Sequence, residues 1–198
     1  MLMSPEHLPP IILASGSPRR KELLAGLQIP FEIVVSDVDE KQCEVEGLTT
    51  ADTVQRIAQF KGKPVADKHP DKVVIAADTL VALQNKILGK PRDVDEAIEM
   101  LTFLQGQTHS VFSAIAIFYQ GQVVVDALET HVKMRPLTTK EIHWYVQTGE
   151  PMDKAGSYAI QGHGSLLVEK IDGCYFNVVG MSLVLLDQLV TRILAQPG

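Results

Sequence analysis

Hydrophobic and polar positions follow two different periods along the chain, and each period predicts its own kind of element. Short runs of apolar residues between polar or glycine-containing turns predict β-strands. Apolar residues three and four positions apart, after a residue that can cap the first turn, predict amphipathic helices. The predicted strands are 11–14, 31–36, 73–78, 109–119 and 122–135, with a Gly-rich, strand-like segment over 154–173. The predicted helices are 18–27, 51–61, 93–104, one that begins at Thr138 or Thr139, and 183–194.

The order of these elements predicts a mixed α/β protein. Helices and strands are interspersed, but the two longest strands meet at Gln120-Gly121, which is typical of an antiparallel hairpin. Gly62 and Pro64 are expected to end the second helix. The chain has 198 residues, of which 45% are hydrophobic and 21% charged, as in ordinary globular proteins. We expect a single domain over 1–198, with residues 1–10 as a flexible N-terminal extension.

Net charge and cysteine usage argue against several classes of partner. The formal net charge is −6, so the chain lacks the overall basic footprint of a nucleic-acid-binding protein, although a local basic pocket stays open. No apolar run approaches the roughly 20 residues that span a bilayer. Cys43 and Cys174 lie far apart and form no C-x-x-C motif, which fits a reducing compartment. The sequence therefore predicts a cytoplasmic protein that binds neither nucleic acid nor a membrane.

Two arginines stand where a helix favours anions. Ser17 is a good N-cap and Pro18 suits the first helical position, so Arg19 and Arg20 fall in the first turn. That turn carries free N–H groups and the positive end of the helix dipole. A polyphosphate bound there, with the Ser15 hydroxyl beside it, would relieve the repulsion. The alternative, which the residues alone favour equally, is that both arginines point into solvent.

Acidic residues supply candidates for a base and for a metal site. Asp78 closes an apolar strand, where it could act as a general base or metal ligand, or simply cap the next turn. The acidic stretch with Asp37, Asp39 and Glu40 offers the oxygen ligands that Mg²⁺ or Mn²⁺ prefers. A solvated acidic loop is the commoner outcome for such a stretch.

Three further side chains could contact a nucleotide. Lys61 and Lys90 could each hold a phosphate as a point charge, although most lysines are simply solvated. Gln161 lies in a Gly-rich stretch whose backbone can approach a planar ligand closely, and its amide can both donate and accept. The alternative is a surface glutamine in a Gly-rich turn.

Four of these segments, in this order, resemble one known family. The stretches LASGSPRR, AADT, GKPRD and DKAGSYAIQG are similar to the motifs of the Maf family of nucleoside triphosphate pyrophosphatases. The resemblance extends from about Ile11 to the last helix. It implies an ITPase-like mixed α/β fold, with an elongated twisted sheet flanked by helices and two lobes around a cleft. It also implies a cytoplasmic homodimer that uses a divalent metal cation, Mg²⁺ or Mn²⁺, to hydrolyse the α–β phosphoanhydride of its substrate.

The resemblance assigns roles to individual residues. Asp78 matches the catalytic proton acceptor, and Glu40 matches an acid near the metal, so we expect both at the metal. The matching phosphate-binding positions are Ser15, Ser17, Arg20, Lys61 and Lys90. Arg19, Thr79 and Gln161 match the positions that mark the branch preferring dTTP and UTP. A base pocket of this kind is expected to accept pyrimidines modified at C5 as well.

Three alternatives stay open at this point. The same chemistry could act on 7-methyl-GTP or another modified nucleotide. The protein could instead be a non-catalytic nucleotide-binding regulator of cell division, although a regulator would not need Asp78. A nucleic-acid-binding protein could use Arg19, Arg20 and nearby lysines, but the acidic net charge argues against it.

Overall fold

The computed structural model describes residues 8–196, and these divide into two compact units. The first unit comprises the chain up to Asp78, Ser113–Leu128 and the chain from Gly180 onward. The second comprises Thr79–Phe112 and Glu129–Val179. The predicted N-terminal extension falls mostly outside the described residues. Of its described part, Leu8 packs against the first unit's core and the Pro10 carbonyl accepts a hydrogen bond from Val73 N–H.

One mixed sheet contains all seven described strands, which confirms the predicted α/β class. The strands are β1 (Ile11–Leu13), β2 (Phe31–Ile33), β3 (Val73–Leu83), β4 (Lys86–Leu88), β5 (Thr108–Tyr119), β6 (Gln122–Met134) and β7 (Val168–Asp172). Their order is β2-β1-β3-β5-β6-β7, with β4 paired to β3. β1 lies parallel to both β2 and β3, whereas β4 and β7 pair antiparallel with β3 and β6.

Six α-helices accompany the sheet in the described part of the chain. They are α1 (Pro18–Ala25), α2 (Thr50–Lys68), α3 (Val94–Leu104), α4 (Thr139–Gln147), α5 (Tyr175–Val179) and α6 (Leu183–Leu194). The bounds of α6 agree with the prediction. So do two of the predicted caps: Asp93 accepts from Glu96 N–H before α3, and Thr138 forms a capping box with Glu141 before α4.

Four predictions about element bounds are wrong by three residues or more. The strand expected over 31–36 ends at Ile33. β3 runs five residues beyond Asp78, so this acid lies inside a strand and does not end one. α2 continues through Gly62 and Pro64 to Lys68, so Lys61 lies inside a helix. The segment 154–173 is mostly 3₁₀ turns, with a strand only over Val168–Asp172, because Gly156 and Gly162 adopt positive φ angles incompatible with a regular strand.

Each unit buries its own hydrophobic core. In the first unit the apolar face of α6 packs with residues of β1, β3 and β5, including Leu13, Ile75 and Ile115. In the second unit α3 and α4 pack against the apolar residues of the strands, with Tyr145 fully buried among them. No helix among the described residues is both long and apolar enough to cross a membrane.

Candidate active site

The register of the parallel strands brings Ser15 and Asp78 to the same level of the first unit. Leu13 pairs with Ile75, and Ala14 N–H still donates to the Ile75 carbonyl, after which β1 ends. β3 continues, so Asp78 emerges beside the turn that connects β1 to α1. Parallel strands commonly place functional groups beyond the carboxyl end of a strand, and here the neighbouring strand supplies the acid.

Arg20 is buried in this turn and does not point into solvent. Only 8% of the residue is exposed. Its Nη1 donates to Ser15 Oγ at 3.1 Å, and its Nε donates to the Gly180 carbonyl at 3.0 Å. Ser15 Oγ also accepts from Ser17 N–H at 3.3 Å, whereas the Ser17 side chain makes no capping bond. The solvent-facing alternative is therefore wrong for Arg20. Its hydrogen bonds to Ser15 and Gly180 orient the guanidinium.

Lys61 connects the two predicted metal-binding acids. Its Nζ lies 2.8 Å from Glu40 Oε1 and 3.0 Å from Asp78 Oδ1. Glu40 begins the 3₁₀ turn Glu40–Gln42, and the Asp39 side chain caps this turn by accepting from Lys41 N–H. The acidic stretch is thus locally ordered, and one of its acids turns toward Asp78.

Gly62 explains how Lys61 reaches the sheet. A Cβ at this position would lie 2.4 Å from Phe118 Cε2 and 2.7 Å from Ala76 Cβ. Side chains two positions apart on a strand share a face, so Ala76 and Asp78 both face α2. The missing side chain lets α2 approach this face closely, and the neighbouring Lys61 can then contact Asp78.

Asp78 lies in an electrostatic environment that shifts its pKa. Burial raises the pKa of Asp78 above its ordinary value, and the charges of Lys61 and Arg20 offset this effect only in part. Burial likewise lowers the pKa of the Arg20 guanidinium, which Asp78 and Glu40 oppose. Ion pairs of this kind interact strongly because little water screens them.

The structure therefore brings five of the predicted site residues together in the first unit: Ser15, Arg20, Glu40, Lys61 and Asp78. Ser17 and the half-buried Arg19 lie in the same turn and helix start. Sequence analysis missed Gly180, whose carbonyl lies 160 residues from Arg20 in the chain, and no local signal points to it.

The other predicted residues belong to the second unit. Thr79 follows Asp78 on β3 and is half-buried, and Lys90 is exposed just after β4. Gln161 is half-buried and precedes the 3₁₀ turn Gly162–Leu166. The loops of Lys90 and Gln161 are connected, because Gly156 N–H donates to the Gly89 carbonyl at 3.0 Å. The roles predicted for these three residues stay predictions.

Glu40 and Asp78 are the two carboxylates of this site that could hold a divalent cation of the magnesium type. One oxygen of each contacts the Lys61 ammonium, at 2.8 and 3.0 Å. Mg²⁺ is commonly bound through one or two carboxylates, with waters and substrate phosphates completing its coordination. Among residues 8–196 there is no cluster of three or more His, Cys, Asp or Glu side chains suited to a metal.

Comparison with known proteins gives consistent matches over most of the chain. The family model described as Maf-like protein matches residues 10–193. A dTTP/UTP pyrophosphatase of Halalkalibacterium halodurans is 47% identical over 174 residues, which cover 88% of this chain and 90% of that protein. The protein of the same name from Desulforamulus reducens is 48% identical over 176 residues, covering 88% and 91%. That from Symbiobacterium thermophilum is 43% identical over 182 residues, covering 92% and 93%.

Among solved structures, a dITP/XTP pyrophosphatase from Mycobacterium abscessus matches with a TM-score of 0.43 and 16% identity, over 92% of this chain and 94% of that one. The family resemblance predicted from the four motifs is confirmed by the family model and by the identity to these relatives. The chain belongs to the Maf family.

Proposed function

We propose that this protein hydrolyses dTTP and UTP to the nucleoside monophosphate and pyrophosphate. The observation that carries the proposal is that Glu40 and Asp78 both contact the Lys61 ammonium, next to the buried Arg20 and Ser15. Three relatives that are 43–48% identical are named dTTP/UTP pyrophosphatase, which supports the choice of substrate.

The first turn of α1 is suited to hold the triphosphate. Arg20 is held in one orientation by its bonds to Ser15 and Gly180, so its guanidinium would contact phosphate oxygens without a large loss of side-chain entropy. The free N–H groups of the helix start favour the same anion. Ser17, Lys61 and Lys90 are proposed to add contacts to the phosphates.

Asp78 is the proposed proton acceptor for the attacking water. The water oxygen forms a bond to the α-phosphorus, and the bond from that phosphorus to the α–β bridging oxygen breaks. The carboxylate takes the water proton, and pyrophosphate leaves with the bond's electron pair. Arg20 and Lys61 stabilise the negative charge that develops on the leaving group.

Glu40 and Asp78 would hold a divalent cation, Mg²⁺ or Mn²⁺, which when bound would polarise the phosphate and neutralise its charge. The Lys61 ammonium, which contacts both carboxylates, would lie close to the phosphates and add positive charge beside them.

Arg19, Thr79 and Gln161 are proposed to contact the base. A pocket that accepts the 5-methyl group of thymine separates dTTP from UTP only weakly, since one methyl group is worth about 1–3 kcal/mol. We therefore include pyrimidines modified at C5 among the proposed substrates. Homodimer formation and a cytoplasmic location stay predictions from the family resemblance.

The test is pyrophosphate release from dTTP, UTP, CTP, dCTP, GTP, ATP and 7-methyl-GTP, each with Mg²⁺ and with Mn²⁺. We expect release from dTTP and UTP, and from the other nucleotides at most weakly. Release from 7-methyl-GTP alone would keep the chemistry and overturn the proposed base specificity. Tight nucleotide binding with no release from any of them would favour a regulator that binds without hydrolysis.

Gly62→Ala should lower both stability and activity. The added methyl group has no room beside Phe118 and Ala76, and overpacking of this kind costs about 1–3 kcal/mol. Alanine favours a helix over glycine by about 1 kcal/mol, which offsets only part of the loss. Because α2 must shift, Lys61 loses its position and kcat/KM for dTTP should fall.

Urea unfolding and steady-state pyrophosphate release measure the two effects of this substitution. Gly26→Ala is the control, since Gly26 ends α1 with a φ of −61° and a Cβ there comes no closer than 3.4 Å to any atom. Gly62→Ala with unchanged stability and activity would show that the close approach of α2 is not required.

A further inference from the structure

Glu150 fixes the backbone before and after Gln161, on one side directly and on the other through Tyr145. Its side chain is only 18% exposed and makes four polar contacts. Oε1 accepts from the Tyr145 hydroxyl at 2.8 Å and from Gly164 N–H at 2.9 Å. Oε2 accepts from His163 N–H at 3.0 Å and lies 3.3 Å from His163 Nδ1. The carboxylate thus fixes the backbone just after Gln161.

Tyr145 extends this arrangement to the other side of Gln161. Its fully buried hydroxyl donates to Glu150 and accepts from Ala159 N–H at 3.1 Å. Backbone groups at 159, 163 and 164 are therefore connected to a single carboxylate, with Gln161 in the middle of the segment. The bonds from Ala159, His163 and Gly164 use backbone N–H groups, so the carboxylate and the Tyr145 hydroxyl hold the backbone of the segment.

Two glycines let the segment close tightly around Glu150. Gly162 has a φ of +63°, and a Cβ there would lie 2.5 Å from Glu150 Oε2. A Cβ at Gly164 would lie 2.1 Å from the Ala159 carbonyl oxygen. Neither position has room for a side chain, so the backbone path requires glycine at both.

The Gln161 amide stays available for a ligand while its backbone is held. Within residues 8–196 the Gln161 side chain forms no hydrogen bond, and it does not cap the 3₁₀ turn that it precedes. Burial acts to raise the pKa of Glu150, but the hydrogen bonds from Gly164, Tyr145 and His163 outweigh it and leave the pKa below its ordinary value. The lowered pKa favours the ionised carboxylate, which accepts from the Tyr145 hydroxyl and from His163 and Gly164 N–H.

We propose that Glu150, through Tyr145 and the backbone of residues 159–164, is the positioning residue that sets base selectivity by fixing where the Gln161 amide is presented. The inference rests on the proposed role of Gln161 in contacting the base. Glu150 itself touches neither the phosphates nor the reacting atoms. Its loss should change which base is preferred and how tightly the nucleotide binds, and should leave the chemical step nearly intact.

Glu150→Gln is the principal test. The amide has the same shape but only one acceptor oxygen, so donors on one side of the segment lose their partner. We expect KM for UTP to rise about tenfold, the scale of one lost hydrogen bond, with kcat changed less than about threefold. The preference for UTP over CTP in kcat/KM should fall by a similar factor. Tyr145→Phe, which removes only the bond to Ala159 and one of the four to Glu150, should act in the same direction but less strongly.

Glu141→Gln, on α4 together with Tyr145, is the matched control. Glu141 also accepts several hydrogen bonds, from Thr138 N–H and hydroxyl and from Arg135, but it serves the start of α4. This variant should lower the melting temperature without altering the preference between UTP and CTP. A general loss of stability in the second unit is thereby separated from a change in base selectivity.

Gln161→Ala distinguishes failure of the inference from failure of the proposed function. If Gln161→Ala lowers the UTP preference but Glu150→Gln and Tyr145→Phe do not, the positioning role is wrong and the role of Gln161 stands. If Gln161→Ala leaves the preference unchanged, both are wrong. In the Glu150→Gln, Gln161→Ala double variant, we expect selectivity no lower than in Gln161→Ala alone, since the first residue acts through the second. Fully additive losses would overturn the inference.

Discussion

Asp78→Asn should reduce turnover of dTTP and UTP by about a thousandfold, the middle of the range that a positioned general base contributes. The amide cannot accept the proton of the attacking water, and it is a weaker partner for a divalent cation. The effect should fall on kcat, because the groups proposed to hold the triphosphate are other residues. Pyrophosphate release under saturating nucleotide measures it.

The Asp78→Asn variant should fold, because the neighbouring charges keep other partners. Lys61 retains Glu40 at 2.8 Å, and Arg20 retains Ser15 and Gly180. Without a metal, nucleotide should bind at least as tightly as to wild type, since a negative charge near the phosphates has been removed. Isothermal titration with dTTP in the presence of EDTA measures this binding.

Asp67→Asn is the control for the Asp78 variant. Asp67 is exposed near the end of α2 and pairs with Lys63, one helical turn away, at 2.8 Å. Exposed pairs of this kind contribute little, so both turnover and stability should stay close to wild type. Near-normal turnover in Asp78→Asn would remove Asp78 from the catalytic role and leave the first unit's site without a proton acceptor.

Local patterns were sufficient to predict most elements and the start of the site. The Ser17-Pro18 pair marks the first turn of α1, and Asp93 and Thr138 mark the starts of α3 and α4, because capping depends on residues a few positions apart. The long apolar face of α6 predicts its bounds for the same reason. The four motifs supplied the family, and with it the identity of the candidate residues.

The errors arise where tertiary packing outweighs local preference. Gly62 and Pro64 are poor helix residues, yet α2 continues through both, since Gly62 lets the helix pack against Ala76 and Phe118. Sequence patterns likewise favoured a solvent-exposed Arg20 and a phosphate-binding Arg20 equally. Only the fold brings Gly180 close to Arg20, and the sequence does not indicate which backbone carbonyl will accept its hydrogen bond.

Arg20→Lys should lower kcat/KM by about a hundredfold for every nucleotide that the protein hydrolyses. A lysine keeps the charge, but its single ammonium cannot reproduce the guanidinium that bonds Ser15 Oγ through Nη1 and the Gly180 carbonyl through Nε. The remaining charge is no longer aimed at the phosphates. Removing one oriented donor from a site of developing negative charge costs about 10²–10³ in rate.

The loss in Arg20→Lys should be uniform across bases, because all nucleoside triphosphates share the phosphates that Arg20 is proposed to contact. Arg19→Lys provides the contrast one residue away: if Arg19 contacts the base, this variant changes the preference for UTP over CTP more than the overall rate. Steady-state kinetics with dTTP, UTP and CTP measures both variants. Thermal unfolding of both variants is measured as well. Arg20 is buried, and hydrogen bonds to a charged group contribute about 1.5–3 kcal/mol to the free energy of unfolding.

A base-dependent loss in Arg20→Lys would show that the Arg20 guanidinium contacts the base. The roles proposed for Arg19 and Arg20 would then have to be exchanged. A uniform loss in both variants would assign both arginines to the phosphates, leaving base selection to residues of the second unit. A uniform loss at Arg20 combined with a selective one at Arg19 would assign the two adjacent positive charges of this helix turn to different parts of the nucleotide. One is then buried against Ser15 and Gly180 to hold the triphosphate, and the other is left half-buried to contact the base.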